Sequence, residues 1–270
     1  MPASRTPTGN LSLRRSDIDS HGQRYLLPCG SCLGCRLANA LSWAVRCTLE
    51  HSTHDYSNWL TLTYDEAHVP KTLDRAHLQR FLRRVRKISS PGRVRFFGCG
   101  EYGETTGRPH YHLLLWGPTR SDADLQRCWP HGHIKFAEVT PQRIAYTAGY
   151  VVKKVGPREL RKEHVDPATG EWWKYQPPFL QMSRRPGIGG EARMNFPDSW
   201  RSHAIYKSRP VPVPRFLHQA WKSKATPSQI IQLQEEQLSK PRPDLSPEHL
   251  DAAFKIAYAK YTQRLSLRSL

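Results

Sequence analysis

Two apolar runs flanking a turn-rich loop constrain the fold of this chain more than any other feature. Residues 93–101 (RVRFFGCGE) and 110–117 (HYHLLLWG) have the length and aromatic content of strands. The residues between them, YGETTGRP, are rich in turn formers, so the sequence predicts a hairpin. Strand side chains alternate between faces. His110 and His112 therefore project together, while Tyr111 and Leu113 point the other way. If the hairpin pairs residue 101 with residue 110, Glu101 joins the imidazoles, because directly opposed residues share a face. A slip of one residue would send it to the far side.

Two imidazoles and a carboxylate suit a divalent cation such as Mg, Mn or Zn. Against this, a His-x-His pair arises easily by chance in a chain with 13 histidines. Glu104 in the loop is a second, weaker carboxylate, and His131 and His133 form another His-x-His that reads as a loop beside Trp129-Pro130.

Around the hairpin the periodicities alternate. Leu37, Leu41, Ala44, Val45 and Thr48 recur at helical spacing over about 35–50, and WLTLTY (59–64) alternates as a strand should. Asp74 caps a helix with an apolar stripe of Leu78, Phe81, Leu82 and Val85. Its other faces carry Arg80, Arg83, Arg84, Arg86 and Lys87, either a solvated face or a contact for a nucleic-acid backbone. Thr140-Pro141 opens a helix expected to reach about Lys154. Residues 156–225 are punctuated by Pro and Gly and read as irregular; Thr226-Pro227 and Ser246-Pro247 open two last helices. The reading is α+β: an arm with a cysteine cluster (1–34), a core (35–155), and a basic, mostly irregular and helical extension (156–270).

Charge narrows the function. With 41 Lys and Arg against 23 Asp and Glu, the formal net charge is +18, which favours a polyanionic partner whose counterions are released on binding. At 38% hydrophobic the chain can bury a core, so disorder throughout is excluded. No apolar run is long enough for a membrane span, and the polar start MPASRTPTGN is not a secretory signal, so no membrane partner and a cytoplasmic location are expected.

On the helix after Pro141, Tyr146, Tyr150 and Lys153 share a face, with Lys154 beside them, while Ile144, Ala148, Val151 and Val152 cover the other. Two phenols one turn apart can serve one site as nucleophiles, or can simply pack. Cys29, Cys32 and Cys35 crowd into one turn. Structural zinc is one reading, with Cys47, Cys99, Cys128 or a histidine as fourth ligand; three reduced thiols in a Gly-rich turn is the other. Ser183-Arg184-Arg185-Pro186-Gly187-Ile188-Gly189 joins two arginines to a flexible turn, which is either a solvated loop or a phosphate contact.

The order strand, carboxylate strand, Pro-His-Tyr-His strand and Tyr-x3-Tyr-x2-Lys helix resembles the HUH endonuclease superfamily. The stretches PCGSCLGCR, WLTLTYDE, GEYGETTGRPHYHLLLWG, YTAGYVVKK and SRRPGIG together are similar to the two-tyrosine replication-initiation proteins of microviruses of the gokushovirus type. They span roughly 28–189. The resemblance implies a central antiparallel sheet of about five strands flanked by helices, in the split ferredoxin-like arrangement. It also implies a rolling-circle initiator that nicks single-stranded origin DNA by metal-assisted tyrosine attack. The products are a 5′-phosphotyrosine link and a 3′-OH extended by host replication proteins in the bacterial cytoplasm; the strand is later rejoined. His110, His112 and Glu101 would hold Mg or Mn. Tyr150, with Lys153 three residues on, would attack first and Tyr146 second. Arg83, Arg84, Lys154, Arg184 and Arg185 would touch DNA. Gly149 stands where many relatives carry a basic residue. The alternatives are a transposase or relaxase with the same site, and a non-catalytic basic nucleic-acid-binding protein.

Overall fold

The structure, a computed structural model, describes residues 2–5, 11–12, 25–26, 28–89, 94–103, 105–117, 121–150, 163–165, 169–192, 198–239, 244 and 246–266. The chain divides into two units, residues 1–38 with 242–270 and residues 39–241. In the first, strands β1 (Pro2–Arg5), β2 (Leu11–Ser12) and β3 (Tyr25–Leu26) pair antiparallel in the order β2-β1-β3. The sequence reads this stretch as an irregular arm; pieces of two to four residues are too short for periodicity to reveal.

The second unit is built on one antiparallel sheet. Helix α1 (Leu33–His51) leads to β4 (Ser57–Tyr64), then α2 (Arg75–Ile88) and the hairpin β5 (Arg95–Tyr102) and β6 (Pro109–Trp116). Next come α3 (Asp122–Arg127), β7 (Gly132–Ala137) and α4 (Pro141–Gly149). A separate ribbon of β8 (Glu163–Val165) and β9 (Trp172–Lys174) precedes β10 (Phe179–Met182). A second small ribbon, β11 (Ala204–Tyr206) and β12 (Arg209–Val211), is followed by α5 (Arg215–Lys222) and α6 (Pro227–Ser239). The five-stranded sheet has the order β10-β5-β6-β4-β7, and every neighbouring pair is antiparallel.

This is the α+β sheet of five strands flanked by helices that the sequence leads one to expect, with two differences. Its outer strand β10 comes from residues 179–182, beyond the expected core boundary at 155 and inside a stretch read as irregular. Four residues between prolines and a turn give no alternation to read, and the pairing with β5 alone makes them a strand. The opposite edge, β7, includes His133, which the sequence reading assigns to a loop.

The two faces of the sheet carry separate cores. On one, Leu60, Leu62, Phe96, Tyr111, Leu113 and Leu115 pack against Leu78, Phe81, Leu82 and Val85 of α2. On the other, Phe97, Leu114 and Trp116 meet Ala44 and Cys47 of α1 and Ile144 and Ala148 of α4. Each leucine, isoleucine, valine or phenylalanine among them contributes roughly 1.5–3 kcal/mol relative to exposure. The predicted caps form: Asp74 accepts from Ala76 N at 2.7 Å, and Thr140 Oγ1 from Arg143 N at 3.3 Å with Pro141 in the first turn.

One charged pair lies inside this second core. Arg95 donates to both carboxylate oxygens of Glu50, through Nε to Oε1 and at 3.2 Å from Nη2 to Oε2, and both side chains are fully or almost fully buried. Arg95 also donates to Pro186 O at 2.8 Å and Gly187 O at 3.2 Å, while Gly189 N donates to Glu50 Oε2 at 2.6 Å. The SRRPGIG turn is thus clasped to α1 and β5. Gly189 takes φ +73°, and a Cβ there would come within 3.1 Å of Arg46 O, so glycine is needed on both counts.

In the first unit, α7 (Pro247–Ser266) follows Ser246 as the sequence predicts, and its Leu250, Phe254 and Tyr258 are exposed. Among the described residues no helix is long and apolar enough to cross a membrane.

Burial alone would raise the Glu50 pKa, but hydrogen bonds from His54, Arg95 and Gly189 outweigh it and lower it to about 2. A lowered folded-state pKa contributes stability that is present above the ordinary value of 4.5 and is lost as pH falls toward about 2. Glu50→Ala should cost about 3–5 kcal/mol at neutral pH in denaturant unfolding, because it leaves Arg95 buried and unpaired. Glu50→Gln should flatten the fall in stability across the same acid window; an unchanged acid profile would show that the pair contributes little.

Candidate metal and nucleophile site

The register of the hairpin decides what converges. Glu101 stands opposite His110, and Cys99 opposite His112. Between the histidines, Tyr111 turns to the α2 side, where its hydroxyl donates to Asp74 O at 2.7 Å and meets Tyr64 Oη at 2.7 Å. That anchor fixes the parity of β6 and leaves both imidazoles on the face covered by α1 and α4.

There the three side chains close on one another. Glu101 Oε1 is 3.0 Å from His110 Nε2 and 3.2 Å from His112 Nε2. One ligand atom from each lies within 4.8 Å of the other two. Their second nitrogens are already engaged: His110 Nδ1 lies 3.2 Å from Arg108 O, and His112 Nδ1 3.0 Å from Thr61 Oγ1. Such contacts fix the ring orientation and turn both Nε2 atoms inward, as a metal-binding pair requires. Burial would raise the Glu101 pKa, but hydrogen bonds from His110, His112 and Tyr150 outweigh it, and it falls to about 2. The site therefore offers a carboxylate and two imidazoles, a donor set that fits a divalent cation.

Both tyrosines reach this cluster. Helix α4 lies over the sheet with Ile144 and Ala148 inward. Tyr150, at its C-cap, stacks on His112 with ring centroids 5.3 Å apart and planes at 12°. Tyr146 meets the same imidazole edge-on at 5.3 Å. The two hydroxyls are hydrogen-bonded to each other, and that of Tyr150 also bonds to Glu101. Burial, and next the Glu101 charge, push the Tyr150 pKa up, so this phenol is fully protonated where it stands. Tyr150 is only 5% exposed whereas Tyr146 is half-buried, so the two phenols differ in access.

Sequence reasoning missed the support around these groups. Trp59 also stacks on His112, at 5.3 Å and 16°, and its Nε1 donates to Thr147 Oγ1 of α4 at 3.0 Å, tying helix to sheet. Thr61 orients His112. Lys135 pairs with Thr61, and His133 with Thr63, so both exposed side chains stand on the same face of the sheet as the histidines. The alternation of WLTLTYDE was a signal for Trp59 and Thr61, but their neighbours became knowable only with the strand order.

The expected DNA contacts divide. Arg83 and Arg84 are on α2, which packs on the face of the sheet opposite to the histidines, and Arg84 Nη1 donates to Cys128 O at 3.2 Å. Arg184 and Arg185 are exposed on the turn clasped to α1 and β5. Lys153, Lys154 and Glu104 lie outside the described residues, as does the expected continuation of α4 to Lys154. Cys29, Cys32 and Cys35 form a separate group.

Residues 57–155 match the family described as Replication-associated protein ORF2/G2P. The chain is 30% identical over 161 residues to the "Replication-associated protein ORF2" of Spiroplasma virus 4, covering 50% of this chain and 50% of that protein. It is likewise 30% identical over 172 residues to the "Replication-associated protein VP4" of Bdellovibrio phage phiMH2K, covering 55% of each. The "Replication-associated protein ORF4" of Chlamydia phage 1 is 30% identical over 166 residues, 51% of this chain and 42% of that protein. The chain thus spans about half the length of the curated relatives it matches. No solved structure matches it.

Thr61→Val should leave the three ligating groups in place but free the His112 ring. Titration calorimetry with Mn should then show about 10–100-fold weaker binding. Unchanged affinity would mean that the Thr61 contact does not orient the ring.

Proposed function

We propose, for a chain whose residues 57–155 match the Replication-associated protein ORF2/G2P family, that it initiates phage DNA replication as a site-specific, metal-dependent endonuclease and strand transferase acting on single-stranded DNA. One observation carries the reading: two phenols on one helix meet two imidazoles and a carboxylate on one hairpin, within a chain of net charge +18.

The chemistry follows from what each group can do. Glu101, His110 and His112 would hold Mg or Mn, which when bound polarises a phosphate oxygen and offsets the carboxylate charge beside Tyr150. The Tyr150 oxygen attacks the phosphorus, forming the phenolic O–P bond as the bond to the 3′ oxygen breaks; the phenol gives up its proton and the departing 3′ oxygen takes one. The product is a 5′-phosphotyrosine and a free 3′-OH that host replication proteins extend in the bacterial cytoplasm. Because the phosphoester energy stays in the covalent link, the reverse attack by a 3′-OH rejoins the strand without a nucleotide cofactor. Tyr146, hydrogen-bonded to Tyr150, is positioned to make a second cut while Tyr150 still holds the first end.

The remaining assignments are proposals of binding. Arg184 and Arg185, exposed on the clasped turn, would contact phosphates, as would Lys153 and Lys154, which follow Tyr150 in sequence. Arg83 and Arg84 stand on the far face, where a strand entering the site reaches them only by passing around the sheet edge.

With origin-containing single-stranded DNA and Mn, the wild-type protein should form a covalent adduct that survives denaturing electrophoresis. Tyr146→Phe/Tyr150→Phe should form none. His112→Ala should lose cleavage while retaining salt-dependent binding. No adduct from the wild type across tiled fragments of the phage genome, or an adduct that persists in the double variant, would contradict the proposal.

A further inference from the structure

Cys29, Cys32 and Cys35 play no part in the chemistry above, yet their geometry is specific. The Sγ atoms of Cys29 and Cys35 are 3.9 Å apart, and the three sulfurs all lie within 4.8 Å of one another. Around a tetrahedral zinc with Zn–S bonds of about 2.3 Å, two thiolates stand about 3.8 Å apart. The Cys29–Cys35 separation is therefore already that of a tetrahedron's edge.

The backbone holds the sulfurs there. Gly30 takes φ +74°, a conformation that glycine adopts without strain, and the turn it makes brings Cys32 N to donate to Cys29 Sγ at 3.2 Å. One step on, Cys35 N donates to Cys32 Sγ at 3.5 Å. Cys32 is exposed and Cys29 and Cys35 are half-buried, so a cation from solvent can reach them. Among the described residues no histidine or carboxylate joins the group.

We propose that Cys29, Cys32 and Cys35 form a three-thiolate zinc site. Soft thiolates select zinc over Mg and Mn, whereas the Glu101, His110 and His112 set is nitrogen and oxygen. The chain thus carries two chemically distinct cation sites, and the zinc links residue 29 to residue 35 inside α1, fixing how the helix begins.

Elemental analysis of the full-length protein, purified under reducing conditions, should find one zinc per chain. The Cys29→Ser/Cys32→Ser/Cys35→Ser variant should lose it and His110→Ala/His112→Ala should keep it. Cobalt substitution reads the ligands directly in the wild type, without relying on a variant that folds. It should give sulfur-to-cobalt charge-transfer absorption with tetrahedral ligand-field bands, reduced by about a third in Cys32→Ser, since ligation by three thiolates makes the band scale with their number. Zinc retained when the triple variant is combined with His110→Ala/His112→Ala, iron in place of zinc, a disulfide that forms without metal uptake, or cobalt spectra lacking sulfur charge transfer would each overturn the proposal. None of these outcomes depends on DNA cleavage, so the zinc site and the endonuclease reading fail separately.

Discussion

The pairing of Glu101 with His110 is the constraint on which the rest depends. Along β5, Arg95, Phe97, Cys99 and Glu101 share one face, and β6 adds His110, His112, Leu114 and Trp116 to it. The site and the second core are therefore two ends of a single surface. A one-residue slip would move the carboxylate away from the imidazoles and turn Phe97 out of the core at once. Tyr111, bonded to Asp74 O and Tyr64, resists that slip from the opposite face.

The scaffold is stiff where the chemistry needs it to be. At one end of β5, the buried Glu50–Arg95 pair joins α1, the strand and the 183–190 turn through hydrogen bonds to Pro186, Gly187 and Gly189. At the other end, Trp59 and Thr61 hold His112 between β4 and α4. A buried ion pair need not add net stability, but this one fixes which segments meet. Tyr150, packed against His112 and held protonated by burial and by Glu101, would be a poor nucleophile in that setting unless a cation offset the Glu101 charge, as the proposed chemistry has it.

Most of the convergence at the candidate site is legible in the sequence because strand and helix periods speak directly to faces. His-x-His on a strand and Tyr-x3-Tyr on a helix each fix a direction, and a hairpin needs only one register to bring in Glu101. What stayed hidden depended on long-range pairing. Residues 179–182 become a strand only beside β5, and His133 and Lys135 reach the histidine face only because β7 pairs with β4. The basic face of α2 was readable as charge, but its position across the sheet from the histidines was not. In SRRPGIG the arginines drew attention, whereas the turn's hold on Glu50 and Arg95 runs through its backbone, to which sequence patterns are blind.

The most direct test is anomalous scattering from crystals of the protein soaked in Mn. A single strong peak should appear, bonded to a Glu101 carboxylate oxygen and to Nε2 of both His110 and His112, beside the two phenols. A peak elsewhere on the chain, ligation through Nδ1 of either imidazole, or none at these residues would contradict it.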